Sequence, residues 1–133
     1  MAIPSPEGPA TVSRTRGDTY LVPWTEVSDP RLEGTYTLSW DEDENSSGGK
    51  PFLSIVVTTD RITNDQGAWQ GSSLRYRPAE GDQWIAPLVM VGEGAYQGLT
   101  AILRGLEDYG ECAVSGYIIE GSIPTPPMPA SGP

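Results

Sequence analysis

The chain has 133 residues and a mass of 14.2 kDa, which is enough for one domain with a substantial core and too little for two ordinary ones. Its 8 basic and 18 acidic residues give a formal charge of -10, so nucleic acid and anionic membrane surfaces would repel it, and we expect neither as a partner. The absence of histidine removes the usual general base, the commonest zinc ligand and every nucleophile pair that depends on His.

The composition favours strands and turns over helices, because glycine, proline, tyrosine and tryptophan are abundant, with 16, 13, 6 and 4 copies. The single cysteine, Cys112, has no second cysteine with which to form an internal disulfide. The first 30 residues hold no apolar stretch typical of a signal peptide or a membrane span. We therefore expect an all-β protein located in the cytoplasm.

Both ends of the chain are predicted to lie outside the folded domain. Residues 1–17 contain three prolines and lack apolar periodicity, which predicts a flexible leader. Residues 124–133, PTPPMPASGP, predict an extended, proline-rich tail. Residues 18–123 remain as a single domain, in which strand-like runs alternate with turn signals.

The first half of this domain is predicted to form hairpins. Residues 19–27 are a possible edge strand, since Pro23 interrupts them. Residues 34–40 alternate strictly between large apolar and hydroxyl side chains, which predicts a strand with one buried face. Residues 41–51 predict a charged, glycine-rich tip with no metal site, and the β-branched residues 52–63 predict the returning strand.

The second half continues the same pattern. Residues 68–77 predict a further strand, and residues 83–91 are apolar on both faces, so we expect both faces to be covered. Residues 91–101, VGEGAYQGLTA, predict a tight glycine corner around Tyr96. The last two strands are predicted over residues 99–106 and 112–121.

These hairpins predict a closed antiparallel β-barrel of six to eight strands with meander topology. An open sheet would leave unpaired edges that invite aggregation, so hairpin-connected strands of this number are expected to close or stack. One segment has an alternative, because the roughly helical spacing of leucines in residues 96–107 is also compatible with a short helix.

The glycine corner carries a resemblance. GEGAYQGLTA, residues 92–101, resembles the Gly-x-Gly-x-(Phe/Tyr)-x-Gly element of the allene oxide cyclase and dirigent-like barrels and of small bacterial proteins with similar barrels. GAWQGS at residues 67–72 and GYIIEGSIPTPP at residues 116–127 fit the same strand order, and the likeness spans roughly residues 32–123. It implies an eight-stranded barrel, often a dimer or trimer, whose lumen holds a small, largely apolar molecule. The shared residues are glycines and aromatics, so no catalytic residue is carried over.

A barrel of this size is wide enough to hold one small ligand. Glu93, beside the glycine corner, is a candidate acid or base, Tyr96 is a candidate polarising group, and Arg75 is a candidate orienter of a carbonyl or enolate oxygen. The remaining candidates would bind substrate, unless they only fill the core: Trp40, Trp69, Tyr76, Trp84, Met90, Arg104 and Tyr117.

Three functions remain open at this point. The first is a cofactor-independent cyclase or isomerase that holds an apolar, polyketide- or terpenoid-like substrate in the lumen in a reactive geometry. The second is a non-catalytic ligand-binding or assembly barrel. The third is a carbohydrate-binding β-sandwich with Trp24 and Trp84 as exposed stacking platforms. The expected partners are a small apolar ligand and further copies of the chain, as a homodimer or homotrimer.

Overall fold

The computed structural model describes residues 8–24, 27–80, 84–85, 87–108 and 111–130, and it describes the backbone alone at residues 84–85, 105–108 and 111–114. These residues form one antiparallel sheet and a single turn of 3₁₀ helix at Pro30–Leu32, which confirms the all-β prediction. The strands are β1 (Ala10–Trp24), β2 (Gly34–Ser47), β3 (Lys50–Thr63), β4 (Gly67–Pro78), β5 (Trp84–Ile85), β6 (Leu88–Gly94), β7 (Leu99–Asp108) and β8 (Glu111–Glu120).

The strands pair in the order β1-β2-β3-β4-β6-β7-β8, and the short β5 also pairs with β4. This order is a meander, as the hairpin pattern predicts. The predicted closure is not found, because β1 and β8 form the two edges of the sheet in the part of the chain that is described. Closure would require hydrogen bonds between these two strands, whereas β1 pairs with β2 and β8 pairs with β7.

The hairpin between β2 and β3 is longer than the sequence predicts. Gly48 and Gly49, with φ of 57° and 77°, make the turn in two residues, so most of the predicted charged tip belongs to the strands. Positive φ at both central residues is the requirement of the type I′ turn that suits the twist of a hairpin. The amide of Asn45 also donates to the carbonyl oxygen of Leu53 at 3.3 Å, which ties the strand ends together.

The first strand begins at Ala10, so residues 10–17 of the predicted leader form part of the sheet. Arg16 lies 2.8 Å from the carboxylate of Asp43 on β2, and the backbone N–H of Gly17 donates to the Asp41 carboxylate at 2.8 Å. These side-chain contacts anchor a segment that has little apolar periodicity. The sequence feature that indicates this strand is therefore its set of polar and charged residues, which contact acidic residues of β2. A search for apolar patterns does not detect it.

The glycine corner connects β6 to β7, and the chain continues from it as a strand instead of a helix. Residues 95–98 form the turn, in which the N–H of Leu99 donates to the carbonyl oxygen of Tyr96 at 3.0 Å. Leu99 and Leu103 are four positions apart, and this spacing places two residues on one side of a helix and also on one face of a strand. The spacing of these two leucines therefore does not distinguish a helix from a strand.

One face of the sheet carries the core, and we call it the inner face. The core cluster contains Leu32, Ile62, Trp69, Met90, Tyr96, Ala101 and Leu103. The opposite, outer face is more open, and there Val91 of β6 is 57% exposed although the sequence predicts cover on both sides of this segment. Among the described residues, no helix is long and apolar enough to cross a membrane.

Candidate functional site

A pocket of about 380 Å³ opens on the inner face where β1, β2, β3 and β4 lie side by side, and we call it the inner pocket. Strand alternation places every second side chain on this face, and the strand register aligns them across the sheet. The pocket is lined by Tyr20, Leu38, Trp40, Glu42, Ser54, Val56, Thr58, Arg75, Tyr76 and Arg77. Its inner-face side chains are two aromatic, two aliphatic, three charged and two hydroxyl ones, whereas strand alternation turns the ring of Tyr76, which lies between Arg75 and Arg77, to the outer face.

An acidic and a basic residue of the inner pocket belong to the same row of inner-face residues, two strands apart. Glu42 pairs with Val56, and Val56 pairs with Arg75, so the three residues form one row across β2, β3 and β4. Neighbouring strands are about 4.8 Å apart, which puts the Cα atoms of Glu42 and Arg75 about 10 Å apart. The hydroxyl of Ser54 donates to Oε2 of Glu42 at 2.8 Å and fixes one oxygen of that carboxylate.

A buried carboxylate lies beside the inner pocket. Asp60 is 1% exposed and accepts hydrogen bonds from the Tyr36 hydroxyl and, at 2.6 Å, from the Thr58 hydroxyl. The Thr58 oxygen in turn accepts from the backbone N–H of Ser73 at 3.2 Å and lies 2.6 Å from its hydroxyl. Because Thr58 also lines the pocket, this polar network sets the position of part of the pocket wall.

Three of the predicted site residues border the inner pocket: Trp40 and Arg75 with side chains on the inner face, and Tyr76, whose side chain alternation turns to the outer face. They come from β2 and β4, and the pairing of Trp40 with Thr58 and of Thr58 with Ser73 brings these strands together through β3. Arg75 is therefore the one predicted catalytic candidate that the structure places beside the open space.

Three others lie in the core cluster, away from the inner pocket. Trp69 and Met90 are completely buried, and Tyr96 is 4% exposed. The Tyr96 ring stacks on Trp69, and its hydroxyl donates to Oδ1 of Asn64 at 3.0 Å. Asn64 closes the turn before β4, since the same oxygen accepts from the N–H groups of Gln66 and Gly67. These contacts connect the two rings to the turn before β4, so they stabilise the fold at one end of the sheet.

Three more predicted residues lie on the outer face. Glu93 is exposed and pairs with Arg61, with Nη2 to Oε2 at 2.8 Å. Arg104 is exposed and follows Leu103, an inner-face residue, so alternation turns it outward. Tyr117 is 76% exposed and pairs with Ile102 across β7 and β8. The structure therefore separates Glu93, Tyr96 and Arg75 instead of gathering them around one reacting group.

The carbohydrate-binding alternative requires Trp24 and Trp84 to be exposed stacking platforms. The side chain of Trp84 lies outside the described residues. Trp24 packs against the core cluster, and its ring centroid is 5.2 Å from that of Tyr36 at a tilt of 55°. The described strands form one sheet and not two facing ones.

The sequence pattern offered a signal for several pocket residues that were not singled out. Glu42 continues the alternation of Tyr36, Leu38 and Trp40. It was not selected because the hairpin tip was expected to begin at position 41, so residue 42 was expected to lie outside the strand. Arg77 follows the alternation of Arg75. The position of Tyr20 depends on its pairing with Leu38, which no local pattern gives.

The ion pair of Asp29 and Arg31 is not part of the inner pocket and stabilises the 3₁₀ turn. The Asp29 carboxylate caps the 3₁₀ turn by accepting a hydrogen bond from the backbone N–H of Arg31 at 3.1 Å. It also accepts hydrogen bonds from Nε and Nη2 of the Arg31 side chain at 3.0 and 2.7 Å. These hydrogen bonds from the Arg31 side chain hold the pKa of Asp29 below its ordinary value of 3.8. Among the described residues, no group of three His, Cys, Asp or Glu side chains could hold a metal ion.

Comparison of the chain with protein-family models, with curated proteins and with solved structures finds no match in any of the three.

Proposed function

We propose that the protein binds a small, largely apolar molecule in the inner pocket. The observation that carries this proposal is the pocket itself, with about 380 Å³ of space and a wall in which Tyr20, Leu38, Trp40 and Val56 stand beside charged and hydroxyl side chains. Small-molecule sites are concave, have volumes of about 300–1,000 Å³, and combine mostly apolar walls with a few placed polar groups. The paired strands β1 to β4 supply a fixed floor, which limits the entropy lost on binding.

The pocket can be altered without removing the core. The core cluster is formed by residues such as Ile62, Trp69 and Met90, whereas the pocket residue Tyr20 is exposed and Trp40 is half-buried. Substitutions in the pocket are therefore expected to change binding more than stability. This separation makes the proposal testable in folded variants.

The test uses N-phenyl-1-naphthylamine, a neutral apolar dye whose fluorescence rises in apolar surroundings. We expect saturable binding by the wild-type protein and about a tenfold loss of affinity in Trp40→Ala and in Val56→Trp, which fills the floor. Tyr117→Ala, which removes an exposed aromatic ring from the outer face, is the control and is expected to bind as the wild type does. Absence of saturable binding, or equal binding by all variants, would overturn the proposal.

A second candidate is the cofactor-independent cyclase or isomerase, and the row of Glu42, Val56 and Arg75 favours it. In this proposal the Glu42 carboxylate takes a proton from the carbon next to a substrate carbonyl, Arg75 stabilises the enolate oxygen, and the Glu42 carboxyl group, after exchange with solvent, returns a proton to the substrate at another carbon. The resemblance to the allene oxide cyclase barrels agrees with such chemistry. Deuterium uptake by 2-tetralone above the buffer rate tests it, and Glu42→Gln is expected to abolish the excess. Equal uptake in wild type and Glu42→Gln would contradict it.

For the assembled protein we propose a closed β-barrel, which is a more specific architecture than the single antiparallel sheet described above. It is supported by the core, to which Trp24 of β1 and Ile118 of β8 both contribute although these strands are the two edges. Edge-to-edge pairing in a homodimer or homotrimer would satisfy the same edges. Sedimentation equilibrium combined with amide exchange along β1 and β8 separates these arrangements, since a monomer with fast exchange at both edges contradicts both.

We also retain the cytoplasm as the proposed location, because a single cysteine is typical of proteins that do not depend on internal disulfides.

A further inference from the structure

The two hydroxyl groups that line the inner pocket have no protons left for a ligand. The Ser54 hydroxyl donates to Oε2 of Glu42 at 2.8 Å, and the Thr58 hydroxyl donates to Oδ2 of Asp60 at 2.6 Å. A hydroxyl has one proton to donate and two lone pairs with which to accept, so Ser54 and Thr58 can only accept further hydrogen bonds. The Thr58 oxygen already accepts from the backbone N–H of Ser73. These two residues of β3 therefore offer the pocket acceptors only.

Glu42 adds a charged acceptor to the same wall. Its side chain is half-buried and, within the described part of the chain, it forms no ion pair and accepts one side-chain hydrogen bond, from Ser54. A carboxylate has two oxygens and about four lone-pair sites, so this bond leaves one oxygen open to the pocket. Partial removal of a charged group from water is costly unless the group is paired. A ligand with N–H donors and a positive charge would provide that pairing.

Carboxylates outnumber guanidinium groups on the inner face around the pocket. Asp18 lies on this face because it pairs with Trp40, and Glu44 does so because it pairs with Ser54. Both arginines of the pocket also have interactions of their own. The field at the pocket therefore has the same sign as the formal charge of -10 on the whole chain, and it attracts cations. Among the described residues, the four carboxylates and two guanidinium groups in question are those of Asp18, Glu42, Glu44, Asp60, Arg75 and Arg77.

The aromatic rings of the pocket lie next to these carboxylates. Trp40 has Asp18 beside it across the strand pair and Glu42 two positions further along β2. Tyr20 lies two positions from Asp18 along β1. The face of an aromatic ring attracts a cation, and tryptophan attracts it most strongly. The rings and the carboxylates therefore favour the same ligand group, a positively charged ammonium.

From these observations we infer that the inner pocket selects an apolar organic amine in its protonated form. The ammonium group donates to the open oxygen of Glu42 beside the Trp40 ring, and the apolar part of the ligand contacts Leu38 and Val56. This inference rests on the proposed function, and it adds the chemical class of the ligand. A neutral molecule of the same shape lacks the charge-assisted hydrogen bond, and an anionic one is repelled by the carboxylates.

The test compares three naphthalene derivatives at pH 7 by isothermal titration calorimetry. They are cationic 2-(1-naphthyl)ethylamine, neutral 2-(1-naphthyl)ethanol and anionic 1-naphthylacetate. We expect the wild-type protein to bind the amine about tenfold more tightly than the alcohol, and the acetate least tightly. Salt at about 0.5 M should weaken the binding of the amine and leave that of the alcohol nearly unchanged.

Glu42→Gln keeps an acceptor for the Ser54 hydroxyl and removes the charge. We expect this variant to lower the affinity for the amine about tenfold and that for the alcohol less than about twofold, so binding of the alcohol also shows that the variant is folded. Asp18→Asn, which removes the second carboxylate beside Trp40, should lower the affinity for the amine about threefold. Glu33→Gln makes the same change in net charge at an exposed position after the 3₁₀ turn, outside the pocket, and as the matched control it should behave as the wild type does.

The outcomes distinguish the two proposals. Equal binding of the amine and the alcohol, weakened by Trp40→Ala but not by Glu42→Gln, overturns the inference and leaves the proposed function intact. Tighter binding of the acetate than of the amine also overturns the inference. An equal loss of amine binding in Glu33→Gln does so as well, because net charge alone would then explain the effect. Failure of all three ligands and of N-phenyl-1-naphthylamine to bind overturns the proposed function too.

Discussion

The indole ring of Trp69 stacks on the phenol ring of Tyr96, with ring centroids 5.0 Å apart and ring planes 14° from parallel. Both rings belong to the core cluster, and both reach the same two turns. Trp69 Nε1 donates to the carbonyl oxygen of Arg31 at 3.0 Å, while the Tyr96 hydroxyl donates to Asn64, whose amide donates to the same Arg31 oxygen at 3.1 Å. The stack therefore joins the glycine corner, the 3₁₀ turn and the turn before β4.

Removing the Tyr96 hydroxyl should lower stability without changing the inner pocket. Tyr96→Phe keeps the stack on Trp69 but loses the hydrogen bond to Asn64, so we expect a loss of about 1 kcal/mol in the free energy of unfolding. Urea titration measures this loss, and dye binding by the same variant should equal that of the wild type. Weaker dye binding by a fully folded Tyr96→Phe protein would contradict the separation of the core cluster from the inner pocket.

The sequence predicts the kind of fold well and its extent less well. Period-two alternation from Tyr36 to Trp40 and the glycine corner at residues 91–101 identify strands and a hairpin correctly, because both signals are local. The strand from Ala10 was missed because contacts with β2 hold it, including the bond from Gly17 to Asp41. Closure of the sheet depends on whether its two edges meet, which no segment encodes by itself.

The buried Asp60 should be important for stability. Asp60→Ala leaves the hydroxyls of Tyr36 and Thr58 without this acceptor in a buried site, so we expect a loss of about 2–4 kcal/mol in the free energy of unfolding. Asp60→Asn keeps one acceptor oxygen and should lose less. Urea titrations of both variants check the order, and a loss below about 0.5 kcal/mol in Asp60→Ala, the range of ordinary surface substitutions, would show that the network contributes nothing.

The pairing of Asp29 with Arg31 should add a small stability that depends on pH. The pKa of Asp29 is lower in the folded chain than its ordinary value of 3.8, so the charge stabilises the fold fully above about pH 4. This contribution is lost as the pH falls through the lowered, folded-state pKa. Asp29→Asn keeps the cap and removes the charge.

Because both side chains of this pair are partly exposed, we expect Asp29→Asn to lower the free energy of unfolding by less than about 1 kcal/mol at pH 7. The difference from the wild type should be smaller at pH 2 than at pH 7, as measured by urea titration at both pH values. A difference that persists or grows in acid would show that the effect comes from the cap and not from the ion pair.

The glycine at position 92 should be required for the corner. A Cβ atom there would lie 2.7 Å from the carbonyl carbon and 2.8 Å from the Cβ of Tyr96, so Gly92→Ala should cost about 1–3 kcal/mol. Gly98→Asn is the matched control, because nothing lies within 4 Å of its Cβ and Asn tolerates its φ of +86°. Thermal unfolding of both variants measures the difference, and equal midpoints would contradict this role of close approach.

The candidate site could be predicted only in part. Trp40 and Arg75 were identified because large and basic side chains on strands stand out in a sequence. Which face each strand turns inward depends on register, and this is why Glu93 and Tyr117, expected in a lumen, lie on the outer face. Asp60 was overlooked because an acidic residue in a β-branched run resembles an ordinary exposed position.

The most direct test of ligand binding at the inner pocket is a two-dimensional ¹H–¹⁵N correlation spectrum recorded while N-phenyl-1-naphthylamine is added to the labelled protein. We predict that the amide signals that move belong to residues 38–42, 54–58 and 75–77 and to Tyr20. The signals of Trp69, Tyr96 and Tyr117 should stay in place. Movement confined to the outer face around Val91 and Tyr117, or no movement at saturating dye, would contradict the assignment of the inner pocket as the binding site.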